Sequence, residues 1–195
     1  MLTTLLLCIA LCCCSGLVSS ADVNVNSLGD AAPNASQCLP AQAANNACTL
    51  RSAFSFCALN FSSSVQCHIV LPAFGRIEMN SSLGQIDIQF QRSVTNNVEL
   101  ILEGSGATVT LDSASLLSTA PLSGLVSLQN DARHDMKFQI QNMSFVHFTE
   151  SVFNLNNVDV VIEDSQFVNN SAENGTQQLI SCLNAYISTI SIRFF

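Results

Sequence analysis

Charged side chains are scarce in this chain of 195 residues, and basic ones are the scarcest. Charged residues make up 10% of the sequence, with 6 Lys and Arg against 14 Asp and Glu, which gives a formal net charge of -8. So few cations cannot neutralise a run of phosphates or hold a chain to an anionic membrane surface. We therefore expect no nucleic-acid partner.

Motifs for catalysis and metal binding are also missing from the sequence. No CxxC pair or spaced histidines favour a zinc site, and no HExxH or G-x-S-x-G motif accompanies His68, His134 and His147. We interpret the three histidines as ordinary strand or surface residues. We expect no catalytic residue and no cofactor in this chain, with Ca²⁺ as the alternative discussed below.

Residues 1–21 have the pattern of a signal peptide. An apolar run over residues 5–18 is followed by small residues at Ser19, Ser20 and Ala21. We predict cleavage near Ser20 or Ala21 and secretion or display at the cell surface. An uncleaved signal anchor is the alternative, although the run is shorter than the ~20 apolar residues that cross a bilayer. No later segment predicts a transmembrane span.

Cysteines and sequons agree with an extracellular location. Four cysteines outside the leader lie close together in sequence and predict two local disulfides, with three pairings open: Cys38, Cys48, Cys57 and Cys67. Cys182 is then left as a free thiol or as the partner of a cysteine beyond Phe195. Six N-x-Ser/Thr sequons predict glycosylation at Asn34, Asn60, Asn80, Asn142, Asn169 and Asn174.

Periodicity divides the rest of the chain into a loose segment and one domain. Residues 22–47 are small and polar, and we expect them to be loose. From an N-cap at Thr49, apolar residues recur at helical spacing: Leu50, Ala53, Phe54, Cys57, Ala58 and Phe61. Beyond them the period becomes two, as in Ile86, Ile88 and Phe90, which predicts short half-buried strands. We interpret residues 48–195, with the helix included, as one domain.

A weak internal repeat favours a β-solenoid. The run Ile140-Gln-Asn-Met-Ser-Phe145 aligns with Ile162-Glu-Asp-Ser-Gln-Phe167 at a separation of 22 residues, which suits one solenoid coil. The amphipathic helix would then cap the open end of the stack. An antiparallel β-sandwich is the alternative fold, although a sandwich needs no such repeat.

Three runs resemble the opening of pectin-lyase-like right-handed β-helix proteins. They are Cys48-Thr-Leu-Arg-Ser-Ala-Phe54, Cys67-His-Ile-Val-Leu-Pro72 and Leu100-Ile-Leu-Glu-Gly-Ser-Gly-Ala-Thr-Val109. The resemblance implies an all-β, single-stranded right-handed parallel β-helix with an N-terminal capping helix. Phe74 departs from the family's tighter turn, and the chain ends in mid-coil, so we expect the domain to be incomplete at its C-terminus.

The same resemblance implies polysaccharide chemistry that the residues support poorly. Pectate-lyase-like chemistry needs an Arg beside Ca²⁺-binding carboxylates, and the available groups are Asp159, Glu163, Asp164, Arg133 and Lys137. We interpret the three carboxylates as solvated surface. A row of aromatics could serve as a sugar platform but fits a core better, with Phe148 as the exception: Phe138, Phe145, Phe148, Phe153 and Phe167.

Two functions follow from these observations. The first is a non-catalytic module that contacts a polysaccharide, a cell-surface glycan or a protein. The second is the N-terminal fragment of a polysaccharide lyase or glycoside hydrolase that acts on acidic polysaccharides. Fold alone does not decide between them.

Overall fold

The computed structural model of the chain describes residues 20–39, 47–60, 66–90, 98–111, 125–130, 136–148, 151–170, 180–183, 187–189 and 192–194. One α-helix, α1, spans Leu50–Asn60, and two short 3₁₀ helices span Ala35–Cys38 and Ser81–Leu83. The strands are β1 (Ser20–Asn24), β2 (Gln66–Val70), β3 (Arg76–Met79), β4 (Ile86–Phe90), β5 (Val98–Leu111), β6 (Val126–Asn130), β7 (Met136–Val146), β8 (Phe153–Asn156), β9 (Asp159–Glu163), β10 (Ser165–Val168), β11 (Ile180–Leu183), β12 (Ile187–Thr189) and β13 (Ile192–Phe194).

The described strands form two parallel sheets. The larger has nine strands, in the order β1-β2-β5-β7-β10-β13, with β3 beside β5, and with β9 between β7 and β12. The smaller has four strands in the order β11-β8-β6-β4. Strand β5 changes register with β7 between Glu103 and Ala107, so its two halves belong to two successive ladders. The Gly104-Ser105-Gly106 segment therefore interrupts a single long strand.

One apolar core joins the two sheets and the helix. Phe138 and Phe145 of the large sheet both meet Phe153 of the small sheet edge-on, with ring centroids 5.6 and 5.0 Å apart. Phe54 of α1 meets Phe138 edge-on at 6.4 Å. Edge-to-face pairs of this kind stabilise a core beyond the area they bury. Along the strands, apolar residues alternate inward with polar residues outward, as the period of two predicted.

The predicted fold class is wrong. We expected an all-β, single-stranded right-handed parallel β-helix, but the described strands form two separate parallel sheets, and a helix contributes to the core, so the arrangement mixes α and β. The antiparallel sandwich is wrong as well, because every described ladder is parallel. The repeat explains the error. Phe145 does pair with Phe167, 22 residues on, but contacts between other neighbouring segments join residues 27, 33 and 38 apart. The spacing of 22 holds where β7 pairs with β9 and with β10, and it specifies those registers and not a solenoid.

The predicted helix and its N-cap are confirmed. The hydroxyl of Thr49 accepts a hydrogen bond from the backbone N–H of Ser52 at 3.2 Å, which satisfies one of the free donors of the first turn. The predicted apolar face is buried at Leu50, Ala53, Phe54 and Cys57. Ala58 is half-buried, and Phe61 lies outside the described residues.

The segment expected to be loose over residues 22–47 is fixed where it is described. Strand β1 pairs in parallel with β2, and Val23 and Val25 are buried. Asp30 forms a bidentate ion pair with Arg51 of α1, at 3.0 Å to Nε and 2.8 Å to Nη2. Composition alone missed this ordering, because the anchors are a few residues among many small ones.

Two disulfides are present, as predicted, and the structure resolves their pairing. Cys38 bonds to Cys48, and Cys57 at the buried face of α1 bonds to Cys67 of β2. Disulfides of this kind persist in oxidising surroundings, so the chain belongs to an extracellular or otherwise oxidising environment. No helix among the described residues is long and apolar enough to cross a membrane. Residues 1–19 of the predicted leader lie outside the described part, and the signal peptide stays a prediction.

Candidate functional site

The outward side chains of four neighbouring strands form one largely polar surface, which we name the outer polar face. It lies on β2, β5, β7 and β9, whose register places one side chain of each strand beside the next. Strands in a sheet lie about 4.8 Å apart, so the face extends roughly 14 Å across them. Its polar members are Gln66, His68, Glu99, Glu103, Lys137, Gln139, Gln141, Asp159 and Glu163.

Glu99 is the centre of the most densely bonded part of this face. Its Oε2 accepts from Gln66 Nε2 at 2.8 Å, and its Oε1 accepts from Lys137 Nζ at 3.2 Å and also from Gln139 Nε2. One carboxylate therefore binds donors from the strands on both sides. The Lys137 side chain is 44% exposed, so the ion pair itself contributes little, and its role is to orient the surface.

Three further carboxylates complete the bonding pattern, two on the outer polar face and one on the neighbouring strand β1. The Nε2 of His68 lies 2.9 Å from Glu103 Oε2, and its Nδ1 lies 3.6 Å from Asp22 Oδ1 on β1. Glu163 accepts a hydrogen bond from Gln141 at 3.0 Å. Apart from the exposed Asp22, these side chains are half-buried on the strands, and each bond holds a planar amide, imidazole or carboxylate in a fixed orientation. Such a surface can donate to and accept from hydroxyl groups along a line across the strands.

The groups considered for Ca²⁺ do not form a cluster in the described structure. Asp159 and Glu163 stand at opposite ends of β9, Asp164 is exposed at a corner with φ 46°, and Lys137 binds Glu99. Arg133 lies outside the described residues. Within the described residues, no group of three or more His, Cys, Asp or Glu side chains is placed to hold a metal ion.

The histidines and phenylalanines fall in different places. His68 belongs to the outer polar face, and His147 occupies a corner with φ 64°. His134 lies outside the described residues. All five phenylalanines weighed as a sugar platform are buried, which confirms the core interpretation for four of them. Phe148, expected as the exception, is 1% exposed, so that expectation is wrong. Its backbone N–H donates to Asn170 Oδ1 at 2.8 Å, which fixes the chain just beyond the end of β7.

The sequons occupy two kinds of position. Asn34, Asn80, Asn142 and Asn169 are exposed. Asn60 is half-buried at the end of α1, where its Nδ2 donates to the carbonyl of Phe56 at 2.8 Å, and Asn174 is outside the described residues. The backbone of Cys182 lies in β11, beside Leu155 of β8, and its thiol is not among the described side chains.

Sequence reasoning missed most of the outer polar face. Glu99 and Glu103 were not singled out in the sequence, and their partners lie 33 to 40 residues away. Pairing at that distance depends on strand register, which local periodicity does not give. No protein-family model, curated protein or solved structure matches this chain. The resemblance to pectin-lyase-like proteins therefore stays a prediction from the three sequence runs.

Proposed function

We propose that this protein is a secreted or cell-surface, non-catalytic binding module that contacts a carbohydrate or a protein through its sheet surface. The observation that carries the proposal is the outer polar face, where oriented amides and carboxylates cover four parallel strands. A ligand rich in hydroxyl groups is matched by acceptors and donors repeated at the strand spacing. The disulfides and the predicted leader support delivery to the cell exterior.

The acidity of the surface limits the kind of partner. Glu99, Glu103 and Glu163 outweigh Lys137 on the outer polar face, and the whole chain carries a net charge of -8. Polyanions would be repelled from this face, so we expect neutral glycans or a basic protein surface there.

One experiment on the full chain tests both secretion and binding. Expressed with its own leader in eukaryotic cells, the protein should be recovered from the medium and should bind an array of immobilised oligosaccharides or intact cell surfaces. Retention inside the cell would contradict the localisation. Recovery of folded protein that binds neither glycans nor cells would contradict the module.

A matched pair of variants locates the binding. Val161 is half-buried on β9, the last strand of the outer polar face, beside Gln139 of β7, and Val168 is half-buried on β10, outside the face. Val161→Lys should weaken binding at least tenfold, because a long cation then blocks the face. Val168→Lys places the same change on another strand and should leave binding intact. Equal binding by both variants would place the contact surface elsewhere.

A further inference from the structure

Phe74 is the most exposed large apolar side chain in the described part of the chain. It is 87% exposed, against 70% for Leu59, the next in order. Its backbone is left-handed, with φ 55°, a conformation that aromatic residues rarely adopt because the β-carbon crowds the following carbonyl. Residues held in such conformations are concentrated at functional sites, where the surrounding structure maintains them.

Three backbone hydrogen bonds hold this turn in place. The N–H of Gly75 donates to Pro72 O at 2.9 Å, and the N–H of Phe74 donates to Ser105 O at 3.4 Å. On the other side, the N–H of Thr108 donates to Gly75 O at 2.8 Å. The turn is therefore tied to the middle of β5, and the position of the aromatic ring is set by a sheet and not by a free loop.

The ring itself rests on a glycine. A β-carbon on Gly106 would come within 2.9 Å of two ring atoms of Phe74, Cδ1 and Cε1. Because Gly106 has no side chain, the ring lies close against the backbone on that side and stays open elsewhere. A flat ring that is supported on one side and exposed on the other is a platform for stacking.

A cation with no ion pair or hydrogen bond among the described residues follows this platform in the sequence. Arg76, two residues further on, is exposed. The structure describes three cationic side chains, and two of them, Arg51 and Lys137, are in ion pairs. Arg76 has no ion pair or hydrogen bond within the described residues. Its strand neighbour Thr108 and then Ser144 continue the row with hydroxyl groups.

The small size of the apolar area favours a sugar over a protein as the ligand. Leu28 lies beside Gly75 and is 46% exposed, so Phe74 and Leu28 form the apolar part of this corner. Two side chains fall short of the contiguous apolar patch of several hundred Å² that marks a protein interface. One aromatic ring among hydroxyl groups and a guanidinium suits a single sugar ring, whose C–H groups meet the electron-rich face while its oxygens accept hydrogen bonds.

We infer that Phe74 and Arg76 form a sugar-binding subsite, in which a pyranose ring stacks on Phe74 and Arg76 donates to its oxygens. This subsite rests on the proposed binding function and narrows it to carbohydrate at one corner of the sheet. It also gives a reason for the left-handed phenylalanine, because the turn presents the ring outward at the cost of backbone strain.

The test uses the full chain, an array of immobilised neutral and acidic oligosaccharides, and four variants. Phe74→Ala should weaken binding to the array at least tenfold, and Phe74→Trp should retain it. Arg76→Gln should weaken binding severalfold. Leu59→Ala removes a comparably exposed apolar side chain from α1 and should change nothing.

A stability measurement separates binding from folding. Phe74→Gly should bind as weakly as Phe74→Ala, yet its thermal midpoint should equal or exceed that of the unchanged protein, because glycine adopts a positive φ without strain. Array binding that survives Phe74→Ala and Phe74→Gly would overturn the subsite while leaving the proposed function standing. If the unchanged protein binds cells or proteins but no oligosaccharide, the subsite is again overturned alone. If it binds nothing, the proposed function fails with it.

Discussion

Replacing Arg51 with methionine should lower the free energy of unfolding by about 3 to 5 kcal/mol, the range for removing one partner of a buried ion pair. The side chains of Arg51 and Asp30 are 4% and 1% exposed. Arg51 also donates to the carbonyls of Gly84 and Gln85, at 2.9 and 3.2 Å. The change therefore leaves a buried carboxylate with the N–H of Asn80 as its one remaining described donor, at 3.1 Å.

The size of the stability loss comes from the buried Asp30 carboxylate that remains rather than from the attraction that is lost. Two buried charges attract strongly but are also costly to desolvate, so the intact pair contributes little net stability, whereas an orphaned charge keeps the full penalty. The double variant Arg51→Met with Asp30→Leu should thus lose less stability than Arg51→Met alone. The stability of Arg51→Lys should lie between that of the unchanged protein and that of Arg51→Met, because an ammonium group cannot reproduce the bidentate geometry.

Urea unfolding with the disulfides intact, followed by far-ultraviolet circular dichroism, measures these differences. The chain has no tryptophan and one tyrosine, so intrinsic fluorescence is a poor probe. Arg76→Met is the matched control and should change stability by less than about 0.5 kcal/mol, because Arg76 is exposed and unpaired in the described structure. A loss below about 1 kcal/mol for Arg51→Met, or a double variant less stable than the single one, would refute the reasoning.

Three shorter predictions concern packing, disulfides and glycosylation. Gly104→Ala should lower the free energy of unfolding in urea by about 1 to 3 kcal/mol, because its β-carbon would lie 2.7 Å from the carbonyl oxygen of Asn142. Gly29→Ala, whose β-carbon would have its nearest atom 3.9 Å away, should be neutral, and equal effects would contradict the close packing. Replacing Cys57 and Cys67 together with alanine should cost about 3 kcal/mol, since the bridge closes a 10-residue separation, and an unchanged urea midpoint would disprove it. Glycopeptide mass spectrometry of the secreted protein should find glycans at the exposed Asn34, Asn80, Asn142 and Asn169 but not at half-buried Asn60, and the reverse pattern would be inconsistent with this fold.

Local features of the fold were predictable, because their determinants lie within a few residues. The helical face from Leu50 to Cys57 and the hydroxyl of Thr49 specify α1 directly. The alternation in Ile86 and Ile88 specifies β4 in the same way, since both side chains are buried. The existence of two disulfides followed from the number of cysteines. Their pairing did not, because it depends on which face of α1 lies against β2.

The arrangement of strands was not predictable from one repeat. The match of Ile140 with Ile162 is real in the structure, where the two residues pair between β7 and β9. The same spacing does not hold for the other strand pairs, and the fold class predicted from it is therefore wrong. Parallel strands are joined by crossover connections, and the lengths of these connections can differ along one chain. A constant sequence period is therefore a property of some parallel folds and not of parallel pairing itself.

The outer polar face and the Phe74 corner differ in what they can offer a ligand. Glu99 and Glu163 already accept hydrogen bonds from neighbouring strands, so a ligand on that face exchanges existing bonds for new ones and gains little net free energy from each. Phe74 keeps most of its surface in water, and covering it gains free energy without breaking a bond. In a complex that spans both places, the corner should supply most of the affinity and the face most of the orientation. Phe74→Ala should then reduce affinity more than Gln139→Ala, and the opposite order would mean that the hydrogen-bonded face dominates binding.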